Sequence, residues 1–322
     1  MSHDFDAYVA AALYSREGAV FALGDGTVRF EQGGVVHAHD GAVLAACVHP
    51  SGEGVVTGGD DGRLVWSRPS GPIELAQVKG KWIDAVDASA ASGLIVFAAG
   101  REVHVRDVAD PGFERRFAHE RTVAAVALDP KGKRLAAATY GGVALRFARI
   151  AEQAPVMLKW PGSHIGVVFS PDGKFLMSAM QENDLHGWRM SDSKDLRMGG
   201  YPSKVKSMAF LSKGALMATS GANGAVVWQF SGPNGPMGRE ASEVGYDESA
   251  LVTRVAARTA GGGMAAGLDD GRVWTAELQA SGLHFIKAEK GPPITALAMS
   301  PDGSQVAWGD EAGGAGVGST AR

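Results

Sequence analysis

The chain has 322 residues, with 31 Lys and Arg against 35 Asp and Glu, for a formal net charge of −4. This balance argues against broad binding to nucleic acid or to an anionic membrane surface. Its one cysteine, Cys47, excludes an intramolecular disulfide and a metal site built from several cysteines.

The N-terminal segment gives an expectation about location. Residues 1–6 carry acids where a secretion signal needs basic residues, and the early apolar run at residues 7–14 is far shorter than a membrane span of about 20 residues. We therefore expect a cytoplasmic protein without membrane insertion. The heavy use of Ala and Gly with few Lys indicates a bacterial source.

A four-residue turn recurs along the chain. The clear copies, with Pro second and Gly fourth, are at residues 49–52, 129–132, 170–173 and 300–303, and weaker copies are at 15–18, 90–93, 211–214 and 261–263. Pro presets φ at the second position, and Gly accepts a positive φ at the fourth. The spacing of roughly 40 residues is the length of one structural repeat.

Short apolar runs flank these turns, as at 165–169 and 175–178, and predict β-hairpins. In the second repeat we expect strands near 43–48, 54–58, 63–67 and 73–78. The eight repeats begin near residues 9, 43, 82, 123, 165, 205, 251 and 294.

Many short strands with regular turns, and no amphipathic helix, predict an all-β fold. Specifically, we expect a β-propeller of four-stranded antiparallel blades that forms a single domain over residues 1–322. Eight first strands favour eight blades, with seven as the alternative. The last repeat, residues 294–322, has room for only three strands, so the fourth is either missing or supplied by the N-terminal segment. The Gly-rich tail at 311–322 could also be flexible.

The second repeat resembles a WD40 repeat. It has His39 before the first strand, His-Pro-Ser-Gly at 49–52, and a stretch from Thr57 through Asp61 to Trp66. The resemblance implies a structural hydrogen-bond tetrad made of His39, Thr57, Asp61 and Trp66, in which each buried polar group has a partner. The other repeats match in part, and the Asp that follows Trp in the family is absent. A TolB-like propeller also carries Ser-Pro-Asp-Gly turns and is the alternative.

The sequence does not indicate a catalytic, cofactor or metal site. The Asp pairs at 60–61 and 269–270 lie in predicted hairpin turns. His39, His119 and His164 fall in separate repeats, which favours hydrogen bonds within a blade over a zinc site. No nucleophile elbow, phosphate-binding loop or zinc-protease motif occurs.

We predict a non-catalytic scaffold for protein–protein interaction, or an accessory subunit, that docks other proteins through loops on one propeller face. The alternative is a propeller enzyme, or a small-molecule or metal binder, that uses the central channel. The candidate docking residues combine both charge signs in these loops. They are Asp25, Asp40, Lys79, Lys81, Arg101, Glu120, Arg121, Tyr140, Glu182, Lys204, Glu248 and Asp269.

Two further features are open to interpretation. Trp160 precedes a predicted loop and is either an exposed interface anchor or a packing residue. Residues 231–250 break the period of the repeats, so this segment is either a functional loop or a tolerated insertion.

Overall fold

The computed structural model describes residues 2–278 and 282–320 and is built almost entirely of β-strands. Close contacts divide the chain into two units, one formed by Ser15–Phe169 and the other by Met1–Tyr14 with Ser170–Arg322. We call them the 15–169 unit and the 170–322 unit. The expectation of a single domain stays a prediction. Within the described ranges, no helix is long and apolar enough to cross a membrane.

The strands are short, and we number them in chain order. The first sixteen are β1 (Ser2–Asp4), β2 (Val9–Ser15), β3 (Gly18–Leu23), β4 (Thr27–Phe30), β5 (Val35–His37), β6 (Val43–Val48), β7 (Val55–Gly59), β8 (Arg63–Arg68), β9 (Gly71–Gln77), β10 (Ala85–Ser89), β11 (Leu94–Ala99), β12 (Glu102–Asp107), β13 (Asp110–Ala118), β14 (Val123–Leu128), β15 (Arg134–Phe147) and β16 (Val156–Phe169). The others are β17 (Phe175–Met180), β18 (Leu185–Arg189), β19 (Asp195–Met198), β20 (Met208–Leu211), β21 (Leu216–Thr219), β22 (Ala225–Gln229), β23 (Ser242–Val244), β24 (Val252–Ala257), β25 (Gly263–Leu268), β26 (Val273–Glu277), β27 (His284–Lys287), β28 (Ile294–Met299), β29 (Gln305–Asp310) and β30 (Gly314–Ser319). A single turn of 3₁₀ helix spans Ser212–Gly214.

The recurring turn has the predicted geometry. The fourth residue has a positive φ in all four clear copies, and its N–H donates to the carbonyl of the first residue at 2.7–2.8 Å. The glycines are Gly52, Gly132, Gly173 and Gly303. Each turn therefore joins two consecutive strands as a tight hairpin.

The second strands are buried on both faces, and β11 illustrates why. Its alternate residues Leu94, Val96 and Ala98 pack into one apolar cluster, and Ile95, Phe97 and Ala99 pack into another. Since side chains alternate across a strand, an uninterrupted apolar run suits a sheet that is covered on both sides.

The favoured count of eight blades is wrong, because the described strands form seven sheets, the number given as the alternative. Six sheets have four strands, and one sheet contains the six strands β14 to β19. The fourth and fifth predicted repeats share this sheet. β15 runs through the turn predicted at Tyr140 and folds back on itself, with Ala148 N donating to Lys133 O, and β16 runs through the connection at Trp160.

The N-terminal strand completes the last sheet, which is one of the two alternatives that the sequence left open. β1 pairs antiparallel with β30, with Ser2 opposite Gly316 and Asp4 opposite Gly314. The Gly-rich tail is therefore a strand as far as Ser319. One of its glycines is required by close packing, since a Cβ on Gly318 would lie 2.3 Å from Ile286 Cγ2.

Candidate functional site

The imidazole of His39 links two other polar side chains of the second repeat. Its Nδ1 lies 3.0 Å from Asp61 Oδ1, and its Nε2 lies 2.8 Å from Thr57 Oγ1. The backbone N–H groups of Asp40 and Arg63 also donate to Asp61. Burial by itself would raise the pKa of Asp61, but these hydrogen bonds outweigh it and hold the pKa below its usual value.

Trp66 does not use its indole N–H in this network. Nε1 donates to the carbonyl of Glu53 at 2.8 Å, near the opposite end of the strand pair. The Trp66 ring stacks on His49, with the ring centres 3.8 Å apart. The hydrogen bonds of His39 and the contacts of Trp66 therefore stabilise different parts of the same sheet.

The sixth repeat has an equivalent network in which a tyrosine takes the place of the histidine. Tyr201 is buried, and its hydroxyl lies 2.7 Å from Thr219 Oγ1 and accepts a hydrogen bond of 2.6 Å from Trp228 Nε1. Burial raises the pKa of Tyr201 to about 12. Tyr201 was not predicted from the sequence. Its position could have indicated it, because Tyr201 lies in the connection before the first strand of its repeat, as His39 does in the second repeat.

The other two recurring histidines make different contacts. His164 is fully buried, and its Nε2 lies 3.1 Å from the carbonyl oxygen of Trp160. His119 is in the connection before β14, and burial lowers its pKa to about 4. Within residues 2–278 and 282–320, no group of three or more His, Cys, Asp or Glu is arranged to hold a metal ion.

Several candidate docking residues lie together in the 15–169 unit. The side chain of Lys81 covers Gly100, because a Cβ on that glycine would lie 3.3 Å from Lys81 Nζ. The carbonyl of Arg101 accepts from His119 N, which fixes this turn beside the connection that carries Glu120. The guanidinium of Arg121 lies over the ring of the exposed Tyr140, at 5.1 Å from its centre.

Trp82 belongs to the same surface and was not among the predicted docking residues. We expected it to begin a first strand, but β10 begins at Ala85, so Trp82 lies in the preceding connection with 64% of its surface exposed. We call seven exposed residues of these connections and of the adjoining part of β15 the 79–140 patch. They are Lys79, Lys81, Trp82, Arg101, Glu120, Arg121 and Tyr140.

Two of the other candidates have carboxylates that accept hydrogen bonds from this chain itself. Asp25 accepts from the N–H and the hydroxyl of Thr27, and Asp269 accepts from Leu251 N at 2.8 Å. Asp40 is exposed beside the His39 network.

The last four candidates are scattered. Trp160 is half-buried within β16, and Lys204 is half-buried. Glu182 and Glu248 are exposed in the 170–322 unit.

The 15–169 unit also contains a cavity of about 600 Å³ along β10, β14 and the end of β16. Asp87 lines it and accepts a hydrogen bond from Leu128 N at 2.7 Å. Burial raises the pKa of Asp87 to about 6, well above that of an ordinary carboxyl group. A carboxyl group with a raised pKa therefore lines a cavity of ligand size.

Comparison with known families identifies one repeat. Residues 30–66, which include His39, Asp61 and Trp66, match the family model of the WD domain, G-beta repeat. No curated protein sequence matches the chain.

Three similar solved structures cover nearly the whole chain. The computationally designed Ika8 protein has a TM-score of 0.78 at 18% identity, over 98% of both chains. The Cps50 (Swd1) β-propeller domain of Myceliophteria thermophila has a TM-score of 0.69 at 15% identity, over 87% of this chain and 96% of that one. A chain of the mitotic checkpoint complex has a TM-score of 0.66 at 15% identity, over 100% of this chain and 95% of that one. The resemblance to WD40 β-propellers is confirmed.

Proposed function

We propose that this protein is a non-catalytic scaffold or accessory subunit that docks other proteins through the 79–140 patch. The exposure of Trp82 is the observation that carries the proposal. A tryptophan that is 64% exposed keeps a large apolar surface in water, and aromatic and arginine side chains are the residue types enriched at binding hot spots.

The charges of the patch indicate the chemistry of the partner. Lys79, Lys81, Arg101 and Arg121 are all exposed, against two exposed acids, Glu120 in the patch and Asp84 in the same connection as Trp82. A partner segment that carries carboxylates next to an apolar side chain would complement both the charge and Trp82. One structure with a similar chain is named as a checkpoint complex, which is consistent with a role in an assembly.

The test is a double charge reversal. Lys81→Glu with Arg121→Glu changes the patch without touching a buried group, and partners are quantified after affinity purification from the native host. Lys131→Glu with Lys133→Glu is the matched control, because both lysines are exposed on a Pro-x-Gly turn at the other end of the strands. Loss of the same partners in the patch variant alone supports the proposal, and equal recovery from both variants contradicts it.

Asp87 favours a second candidate function, the binding of a small molecule in the 600 Å³ cavity. A ligand with a cationic or hydrogen-bond-donating group would pair with this carboxyl group. Purified protein would then carry or take up such a ligand, and Asp87→Asn would weaken its binding. Elemental analysis of the same sample tests the metal-binding alternative. The cytoplasmic location and the bacterial source stay predictions.

A further inference from the structure

A second cavity, of about 390 Å³, lies in the 170–322 unit, where the irregular segment that follows β22 returns to the sheet. Its walls come from three parts of the chain. The residues used below are Gly200, Tyr201, Val226, Trp228, Glu243 and Tyr246.

The pairing of β22 with β23 places a carboxylate and an indole on the same face. Glu243 is directly opposite Val226 in this antiparallel pair. Directly paired residues point to the same face of a sheet, and Trp228 shares the face of Val226 because it is two residues further along the strand. The hydrogen bond from its Nε1 to Tyr201 fixes the indole.

Tyr246 supplies the outer wall. Its backbone packs against the turn before β22, since a Cβ on Gly224 would lie 3.3 Å from Tyr246 N. The side chain is 64% exposed. Across the cavity, a Cβ on Gly200 would meet no atom within 4 Å, so this wall leaves open space.

The charge in the cavity is negative. Glu243 accepts one long hydrogen bond, of 3.3 Å, from Gly224 N. Among the residues that the structure describes, no Lys or Arg forms an ion pair with it. The nearby Asp247, by contrast, is paired with Arg272 at 2.6 Å.

We propose that this cavity binds an alkylated ammonium group, by cation–π contact with Tyr246 and Trp228 and by ionic attraction to Glu243. Aromatic rings attract cations through their negative faces, and an alkylated ammonium loses less hydration than a bare one when it is enclosed by rings. This site is independent of the 79–140 patch and does not rest on the proposed docking function.

Choline and its neutral isostere 3,3-dimethylbutan-1-ol are suitable probes, because they have the same shape and differ in charge. In an NMR titration of the full chain, we expect saturable binding of choline and binding of the alcohol weaker by about fivefold or more. Equal affinities, or no saturation by choline, would overturn the proposal.

Two substitutions test the residues. Tyr246→Leu and Glu243→Gln should each weaken choline binding by about three- to tenfold. Glu248→Gln is the matched control, since this exposed acid belongs to the same segment but lies outside the cavity lining, and it should bind like the wild type. If both cavity variants bind choline as tightly as the control, the assignment is wrong.

A third probe separates the two sources of such a group. A short peptide that contains trimethyllysine is compared with choline under the same conditions. Tighter binding of the peptide assigns the site to a protein side chain, and tighter binding of choline assigns it to a free small molecule. In either case, the tighter-binding probe should bind more weakly to the Tyr246→Leu and Glu243→Gln variants.

Discussion

The indole of Trp228 donates a hydrogen bond of 2.6 Å to the phenol oxygen of Tyr201. The same phenol lies 2.7 Å from Thr219, whose hydroxyl also donates to the carbonyl of Val226 at 3.3 Å. The hydroxyl of Tyr201 thereby joins the connection before β20 to strands β21 and β22. In the second repeat, His39 joins the corresponding elements through Thr57 and Asp61.

The phenol of Tyr201 should therefore contribute to stability. We expect Tyr201→Phe to lower the free energy of unfolding by about 1–3 kcal/mol, because the N–H of the half-buried Trp228 would lose its acceptor and Thr219 would lose its buried partner. Thermal and denaturant unfolding measure the change. Tyr246→Phe is the control, since that hydroxyl belongs to an exposed residue, and a loss of equal size in both variants would contradict the role of the network.

The sequence predicted the local hairpins well, because Pro and Gly determine them over four residues. It also predicted that residues near the N-terminus could supply the last strand, since the final repeat was one strand short. It did not predict that β14 to β19 share one sheet. The strands β15 and β16 continue through Tyr140 and Trp160, where other repeats have loops.

The sites were harder to predict than the strands. Tyr201 lies where the second repeat has a histidine, and its hydroxyl makes a comparable hydrogen bond to a threonine. Because the residue type differs, a search for the histidine of the family pattern misses it. Trp82 was assigned to a strand because apolar residues follow it closely, and only the start of β10 at Ala85 places it in an exposed connection.

Buried histidines should make the protein sensitive to acid. Burial, with a smaller effect of nearby arginines, lowers the pKa of His49, His104 and His119 to about 4. In the unfolded chain these groups titrate near 6.5. As pH falls from about 6.5 to 4, the unfolded state binds protons that the folded state does not, so stability decreases across this window.

His104→Phe tests this linkage. His104 stacks on Phe97, and neither of its ring nitrogens has a hydrogen-bond partner among the described residues, so a phenyl ring should fit. We expect the melting temperature of the variant to fall less than that of the wild type between pH 6.5 and 4, with the two curves parallel above pH 7. Parallel curves over the whole range would show that His104 does not contribute.

Two tryptophans should respond in opposite ways to truncation. Trp82→Ala should change the free energy of unfolding by no more than about 0.5 kcal/mol, as for most surface substitutions, while reducing partner recovery. Trp274 is 1% exposed, and Trp274→Ala should cost about 3–5 kcal/mol. Denaturant unfolding of both variants gives the comparison. A large loss of stability in the Trp82 variant would mean that this side chain supports the fold.

The segment that breaks the repeat period is anchored by Arg189. Its Nη1 donates to Pro233 O and to Asn234 Oδ1, both at 2.9 Å, while Nε and Nη2 bind the carboxylate of Asp192. This pairing lowers the pKa of Asp192 to about 2 and holds the guanidinium in place. The first part of the segment is therefore ordered by contacts with β18 and with the turn after it.

Removal of this anchor should loosen the segment without unfolding the sheets. We expect Arg189→Ala to speed amide hydrogen exchange and proteolysis in residues 231–240, because two hydrogen bonds to this segment are lost. The glycines at 232, 235 and 238 within the segment restrict its backbone little. Arg197→Ala is the matched control, since Arg197 pairs with Asp184 and makes no hydrogen bond to this segment. Unchanged exchange in 231–240 would show that the segment is held by its own packing, for example by the contacts of Phe230 with Phe175 and Phe210.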